Sequence, residues 1–126
     1  MERKIISTEN APGAIGPYSQ GIRIDNLVYT SGQIPVNPAT GEVPNGIEAQ
    51  TRQSLENVKA VLEAGGSCMK NAVKLLIFIK DMNDFVKVNK IYGQFFTENY
   101  PARSCVEAAR LPKDVLVEIE AIGIAE

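Results

Sequence analysis

The chain of 126 residues contains no histidine. That excludes every Ser-His-Asp or Cys-His catalytic arrangement and every zinc site built on imidazole. Any acid–base chemistry falls to Asp, Glu, Lys, Tyr, Cys or bound water. Cysteine is scarce too: Cys68 and Cys105 stand in different segments, outside any C-x-x-C pair. Two such residues cannot make a structural zinc site, and they read as reduced thiols of a cytoplasmic protein. No run approaches the ~20 apolar residues that a membrane helix needs. The opening Met1-Glu2-Arg3-Lys4 leads into only two apolar residues, so no signal peptide is expected. Neither a Walker A pattern nor G-x-G-x-x-G occurs, which argues against a nucleotide cofactor. A basic excess is also missing. The net charge of -2 weighs against a broad surface for phosphate backbones, and so against nucleic acid as a partner.

What is present suits a globular domain: 44% hydrophobic and 22% charged residues. No repeat or linker interrupts the chain, so residues 1–126 are expected to form one domain. Gly21 to Ile24 and Leu27 to Ser31 read as strands around an Asp25-Asn26 turn. Ile34 to Gly46, rich in proline and glycine, reads as a loop. A helix follows, capped by Asn45 with Glu48 in a capping box. Its stripe is Leu55, Val58, Val61 and Leu62, and Gly65-Gly66 supplies the stop. Ala72 to Lys80 is a strand. Asn83 or Asp84 caps a second helix with Phe85, Val88, Tyr92, Phe95 and Phe96 at helical spacing, an aromatic stripe that reads as core. Ser104 to Ala108 and Val115 to Ala125 are strands, with a further one expected at Lys4 to Ile6. The order β-β-α-β-α-β-β predicts an α+β fold with two helices on one sheet face.

The other sheet face poses a problem. Val73, Leu75, Ile77 and Ile79 alternate onto one side, as do Val117, Ile119 and Ala121. The opposite side carries Leu76, Phe78, Leu116, Ile122 and Ile124. Two helices cover only one face, and a large exposed apolar patch is unusual on a monomer. Another copy of the chain is the simplest cover, so a homo-oligomer is expected.

Few residues stand out for chemistry. Glu118 and Glu120 leave one strand face together. They are either solvated strand charges or carboxylates beside a partly dry interface, where desolvation raises a carboxyl pKa. Arg103, in Pro101-Ala102-Arg103-Ser104-Cys105, is either a surface cation or a grip for a carboxylate, which guanidinium holds with two parallel hydrogen bonds. Thr30-Ser31-Gly32-Gln33 offers a hydroxyl and backbone N–H groups beside a glycine, and Gly16-Pro17-Tyr18-Ser19 a phenol in a turn. Both also fit plain turn chemistry.

Taken together, these segments resemble one family. Ile15-Gly16-Pro17-Tyr18, Thr30-Ser31-Gly32-Gln33-Ile34-Pro35 and Pro101-Ala102-Arg103-Ser104-Cys105-Val106-Glu107 are similar to motifs of the RidA/YjgF reactive-intermediate deaminases. Ala109-Arg110-Leu111-Pro112-Lys113-Asp114, running into Val117-Glu118-Ile119-Glu120, extends the likeness over essentially the whole chain. The resemblance implies a chorismate-mutase-like mixed sheet in a homotrimer, the uncovered face inside and clefts between subunits. It implies hydrolysis of 2-aminoacrylate- and 2-aminocrotonate-type enamines and imines to 2-oxo acids and ammonia, with no metal or organic cofactor. It assigns the substrate carboxylate to Arg103, water positioning to Glu118 and a place in the cleft to Tyr18. Ser31, Gly32, Asn89 and Cys105 match pocket-lining positions, Cys105 through its backbone. Two rival readings come from other classes. One is a non-catalytic binder of 2-oxo acids or amino acids; the weaker is an RNA-directed ribonuclease or translation inhibitor.

Overall fold

The computed structural model describes residues 2–126; Met1, the first residue of the segment read for a leader, lies outside them. The elements are β1 (Arg3–Ile6), β2 (Gly21–Ile24), β3 (Leu27–Thr30), α1 (Ile47–Ala64), β4 (Ala72–Ile79), α2 (Phe85–Phe95), β5 (Ala102–Glu107) and β6 (Val117–Ile124). One sheet runs in the order β1-β2-β3-β6-β4-β5. Only β4 and β5, joined through α2, pair in parallel; the other neighbours are antiparallel.

The core forms between the helices and one sheet face. Leu55, Val58, Val61 and Leu62 of α1 are fully buried, as are Leu75, Ile77 and Ile79 of β4 and Val117 and Ile119 of β6. Each such side chain is worth about 1.5–3 kcal/mol relative to exposure. Gly66 takes φ 91°, and the chain turns so that Ser67 N–H donates to Leu62 O at 2.9 Å, ending α1. Among the described residues, no helix is long and apolar enough to cross a membrane.

Several local expectations need correction. The capping box at Asn45 and Glu48 does not form. Gly46, at φ 90°, occupies the cap position and makes no side-chain bond, while Glu48 pairs with Lys90 at 3.1 Å. Asp84 does take the cap position of α2, but its side chain makes no capping bond; Asp81 accepts from Asn83 N–H at 2.9 Å and caps the short 3-10 turn that precedes the helix. Val73 does not join the inner face. The β4–β6 register shifts between Ala72 and Lys74, so Ala72 points inward at 7% exposure and Val73 is 40% exposed. β5 starts before the expected Ser104, which puts Arg103 inside the strand.

Outside the core lies the second face. Leu76, Phe78 and Ile122 are only half-buried there, and Tyr29 and Ile124 are exposed. None of them belongs to the buried core or packs against it.

Candidate active site: two half-sites on opposite faces of the sheet

The first half-site is built where β5 meets α2. Arg103 pairs in register with buried Leu75, so its side chain leaves on the helix-covered face. α2 presents Phe85, Asn89 and Tyr92 toward it at spacings of four and three, one side of a helix. The guanidinium carbon sits 4.8 Å from the Tyr92 ring centroid and 5.4 Å from that of Phe85. Such cation–π contacts favour a half-buried cation. Nη1 donates to Asn89 Oδ1 at 2.8 Å. Among the described residues, no carboxylate forms an ion pair with Arg103; the pairs are Lys90–Glu48 and Arg110–Asp114. One of five guanidinium donors has a neutral partner, and the charge is left uncompensated. An open cleft of about 460 Å³ adjoins it, lined by Asn89, Tyr92, Gly93, Tyr100, Pro101 and Arg103 among others.

Cys105 follows on the same face. Burial pushes its thiol pKa up, against a smaller downward pull from Arg103. A raised thiol pKa keeps the sulfur protonated and a poor nucleophile. Its backbone is better placed. Ala108 N–H donates to Ile79 O, and the two-residue period of the ladder leaves the polar groups of Arg103, Cys105 and Glu107 on the open edge of β5.

The second half-site lies on the uncovered face, where β3 gives way to a loop beside β6. Glu118 pairs in register with Phe78. Its carboxylate packs directly on Gly32: an added Cβ at Gly32 would overlap Oε2 and lie 2.8 Å from the carboxyl carbon. Desolvation raises the Glu118 pKa, and the charge of Glu120 adds to the rise. Ser31 Oγ donates to Ser19 O, which ties the Tyr18 turn to this segment. Tyr18 is 53% exposed. It lines, with Ile15, Gly32, Ile34, Pro112 and Lys113 among others, a cleft of about 470 Å³, large enough for a small metabolite.

The expected site residues therefore fall into two groups. Tyr18, Ser31, Gly32 and Glu118 come together, and so do Arg103, Asn89 and Cys105. Within one chain the sheet stands between them. Phe85 and Tyr92 were read only as core, yet they also clamp the guanidinium. The signal was present, an asparagine between aromatics on one helical face.

A small α+β domain with an unpaired arginine on one face and a desolvated glutamate on the other is the class that fold and site define. The chain belongs to the Endoribonuclease L-PSP family, whose profile matches residues 8–125, and this bears out the RidA/YjgF resemblance. It is 61% identical over 124 residues to the 2-iminobutanoate/2-iminopropanoate deaminase of Escherichia coli K12, covering 96% of this chain and 97% of that protein. The crystal structure of the YjgF gene product from E. coli superposes with a TM-score of 0.94 at 59% identity, over 98% of this chain and 99% of that one. The structure of E. coli TdcF with bound serine gives a TM-score of 0.94 at 54% identity, again over 98% and 99%.

Proposed function

We propose that this chain hydrolyses small reactive imines, of the 2-iminobutanoate and 2-iminopropanoate class, to 2-oxo acids and ammonia. Arg103 carries the reading. A half-buried guanidinium between aromatic rings, bonded to a neutral amide and to no carboxylate, favours an anionic ligand with planar acceptors. The deaminase names of the relatives describe anions of that kind, and serine, bound in TdcF, bears the same carboxylate.

Glu118 is the acid–base group. An enamine substrate first tautomerises to its imine. Water then adds through oxygen to C2, and Glu118 takes the proton that the water loses. The carboxyl returns that proton to nitrogen, which leaves a carbinolamine at C2. It then relays the hydroxyl proton to the same nitrogen, the C–N bond breaks, and ammonia leaves as C2 becomes a carbonyl. Tyr18 and Gly32 wall the cleft, and Ser31 ties the Tyr18 turn to Gly32. Because the substrate is itself unstable in water, positioning plus one general acid–base group, typically worth about 10²–10⁴-fold, is proportionate.

The site closes between copies. Arg103 of the partner subunit meets Glu118 across the interface, and the apolar open face supports the contact. In a homotrimer, the assembly implied by the family resemblance, each chain offers Arg103 to one neighbour and Glu118 to the other.

The test measures ammonia released from freshly generated 2-aminoacrylate and 2-aminocrotonate. Arg103→Ala and Glu118→Gln subunits, each strongly impaired alone, are also unfolded together and refolded as a mixture. Random assembly restores both groups to about a quarter of shared sites; a site within one chain would recover nothing. A structured RNA incubated in parallel tests the activity in the family's description. RNA cleavage without ammonia release would overturn the proposal.

A further inference from the structure

β3 and β6 fall out of step beside Glu118. Tyr29 pairs with Ile122, and the chains meet again at a bridge between Gln33 and Ile119. Between these points Thr30, Ser31 and Gly32 stand opposite only Ala121 and Glu120. One extra residue is held in the first chain, which is a β-bulge. Continued regularly, the ladder would place Gln33 opposite Glu118, with its side chain on the open face beside the carboxylate. The extra residue turns Gln33 inward, to 4% exposure, and brings Gly32 against Glu118 instead. The bulge thus puts a residue without a side chain where a reacting molecule needs room.

A bulge leaves backbone groups without their ladder partners, and here named side chains take them. Lys80 N–H donates to Leu116 O, so even-numbered residues of β6 bond toward β4 and Ala121 N–H points toward β3. It donates to Thr30 Oγ1 at 3.0 Å, and Thr30 is 6% exposed. Gln33 Nε2 donates to Ser31 O at 3.2 Å. Gln33 O accepts from Ile119 N–H at 3.2 Å and from Ser54 Oγ at 2.6 Å. Ser54 is fully buried on α1. Asn57, one turn on, donates from Nδ2 to Ile34 O and Val36 O at 3.0 Å each. A buried polar group on a helix is costly unless its bonds are made, and the bonds that Ser54 Oγ and Asn57 Nδ2 donate all go to the segment that leaves the bulge.

We infer that Thr30 and Ser54 are positioning residues for Glu118: they hold the extra residue in place and so keep Gly32 against the carboxylate. The inference rests on the acid–base role proposed for Glu118. Neither residue lies in the clefts described above, so both act through the backbone.

The test uses Thr30→Val, which keeps shape and removes the hydroxyl, Thr30→Ser, which restores it, and Ser54→Ala. Ammonia release is followed as kcat and KM over pH, in the wild type and in a Glu118→Gln background. The other titratable or charged groups on that face or in its cleft are Glu120 on β6, Lys74 and Lys80 by β4, Tyr29 on β3, Arg3 on the distant β1, Tyr18 and Lys113. All stay unchanged in the variants, so a moved acid limb reports on Glu118. The expected result is a fall in kcat of about tenfold for Thr30→Val and Ser54→Ala. Their acid limb shifts to lower pH as water reaches the carboxylate, Thr30→Ser stays near wild type, and neither loss appears in the Glu118→Gln background. Wild-type kcat and pH profile in either folded variant, beside an impaired Glu118→Gln, would overturn the inference alone. An equal fractional loss in both backgrounds, with an unmoved acid limb, would also overturn it by showing a merely structural role. A fully active Glu118→Gln would instead remove the reading on which it rests. Measuring two variants on different elements keeps the outcome readable where one fails to fold.

Discussion

Asn89 Oδ1 accepts a hydrogen bond from Arg103 Nη1 at 2.8 Å, and the acceptor carries no charge. An aspartate would fit the same space and form an ion pair. Asparagine orients the guanidinium without neutralising it, which leaves its attraction for a ligand carboxylate intact.

Asn89→Asp should therefore raise KM by about tenfold or more, since one charge-assisted hydrogen bond is worth roughly 1.5–3 kcal/mol. Steady-state kinetics with generated 2-aminoacrylate provide the check. An unchanged KM would mean that the charge of Arg103 does not hold the substrate.

Arg103→Ala should be nearly inactive and Arg103→Lys strongly impaired, both still folded. An ammonium lacks the planar fork, and its charge sits at a different height between the Phe85 and Tyr92 rings. Pyruvate or 2-oxobutyrate should raise the Tm of the wild type but not of Arg103→Ala, because a ligand stabilises only the state that binds it. A thermal-shift titration beside the ammonia assay reads both. Wild-type turnover by folded Arg103→Ala would favour the non-catalytic binder.

Burial raises the Glu118 pKa, and linkage gives that shift a sign. A carboxyl whose pKa is higher in the folded state binds more protons there. Its contribution to stability is full below the unfolded value of about 4.3 and is lost as pH rises through the folded value. Glu118→Gln removes the penalty. The variant should have a higher Tm than wild type at neutral pH, the gap closing as pH falls toward 4, while turnover collapses. Glu120→Gln should change turnover less. Melting curves across pH follow the gap, and a gap that widens in acid would contradict the sign.

Gly32→Ala meets a specific obstacle, since the new methyl overlaps the Glu118 carboxylate. The carboxylate must move. Turnover should fall by about 10²-fold, the scale of a displacement near 1 Å, while the secondary structure survives. Circular dichroism and the ammonia assay together decide it. Full activity would mean that the contact has no part in the chemistry.

Cys105→Ala should keep most of the activity. The thiol is protonated and no histidine exists to activate it, whereas the backbone of residue 105 stays on the open edge of β5. Loss of turnover in a folded variant would point to chemistry through sulfur.

The sequence by itself determined the layers. Leu75, Ile77 and Ile79, Val117, Ile119 and Ala121, and the α1 stripe announce their inward faces through periods of two and 3.6, which are local patterns and need no partner to be read. The motif strings determined the family, and with it the residues worth watching. The absence of histidine determined that any acid–base work falls to residues such as Glu118. Tertiary structure decided the rest. Whether Val73 or Ala72 faces inward, and whether Gly32 or Gln33 stands beside Glu118, depends on the register between segments far apart in the chain. A one-residue slip reverses every side chain beyond it without altering the local pattern. The aromatic clamp on Arg103 likewise exists only once α2 packs over β5. The placing of Arg103 and Glu118 on opposite faces follows from strand alternation and register together, which neither motif contains.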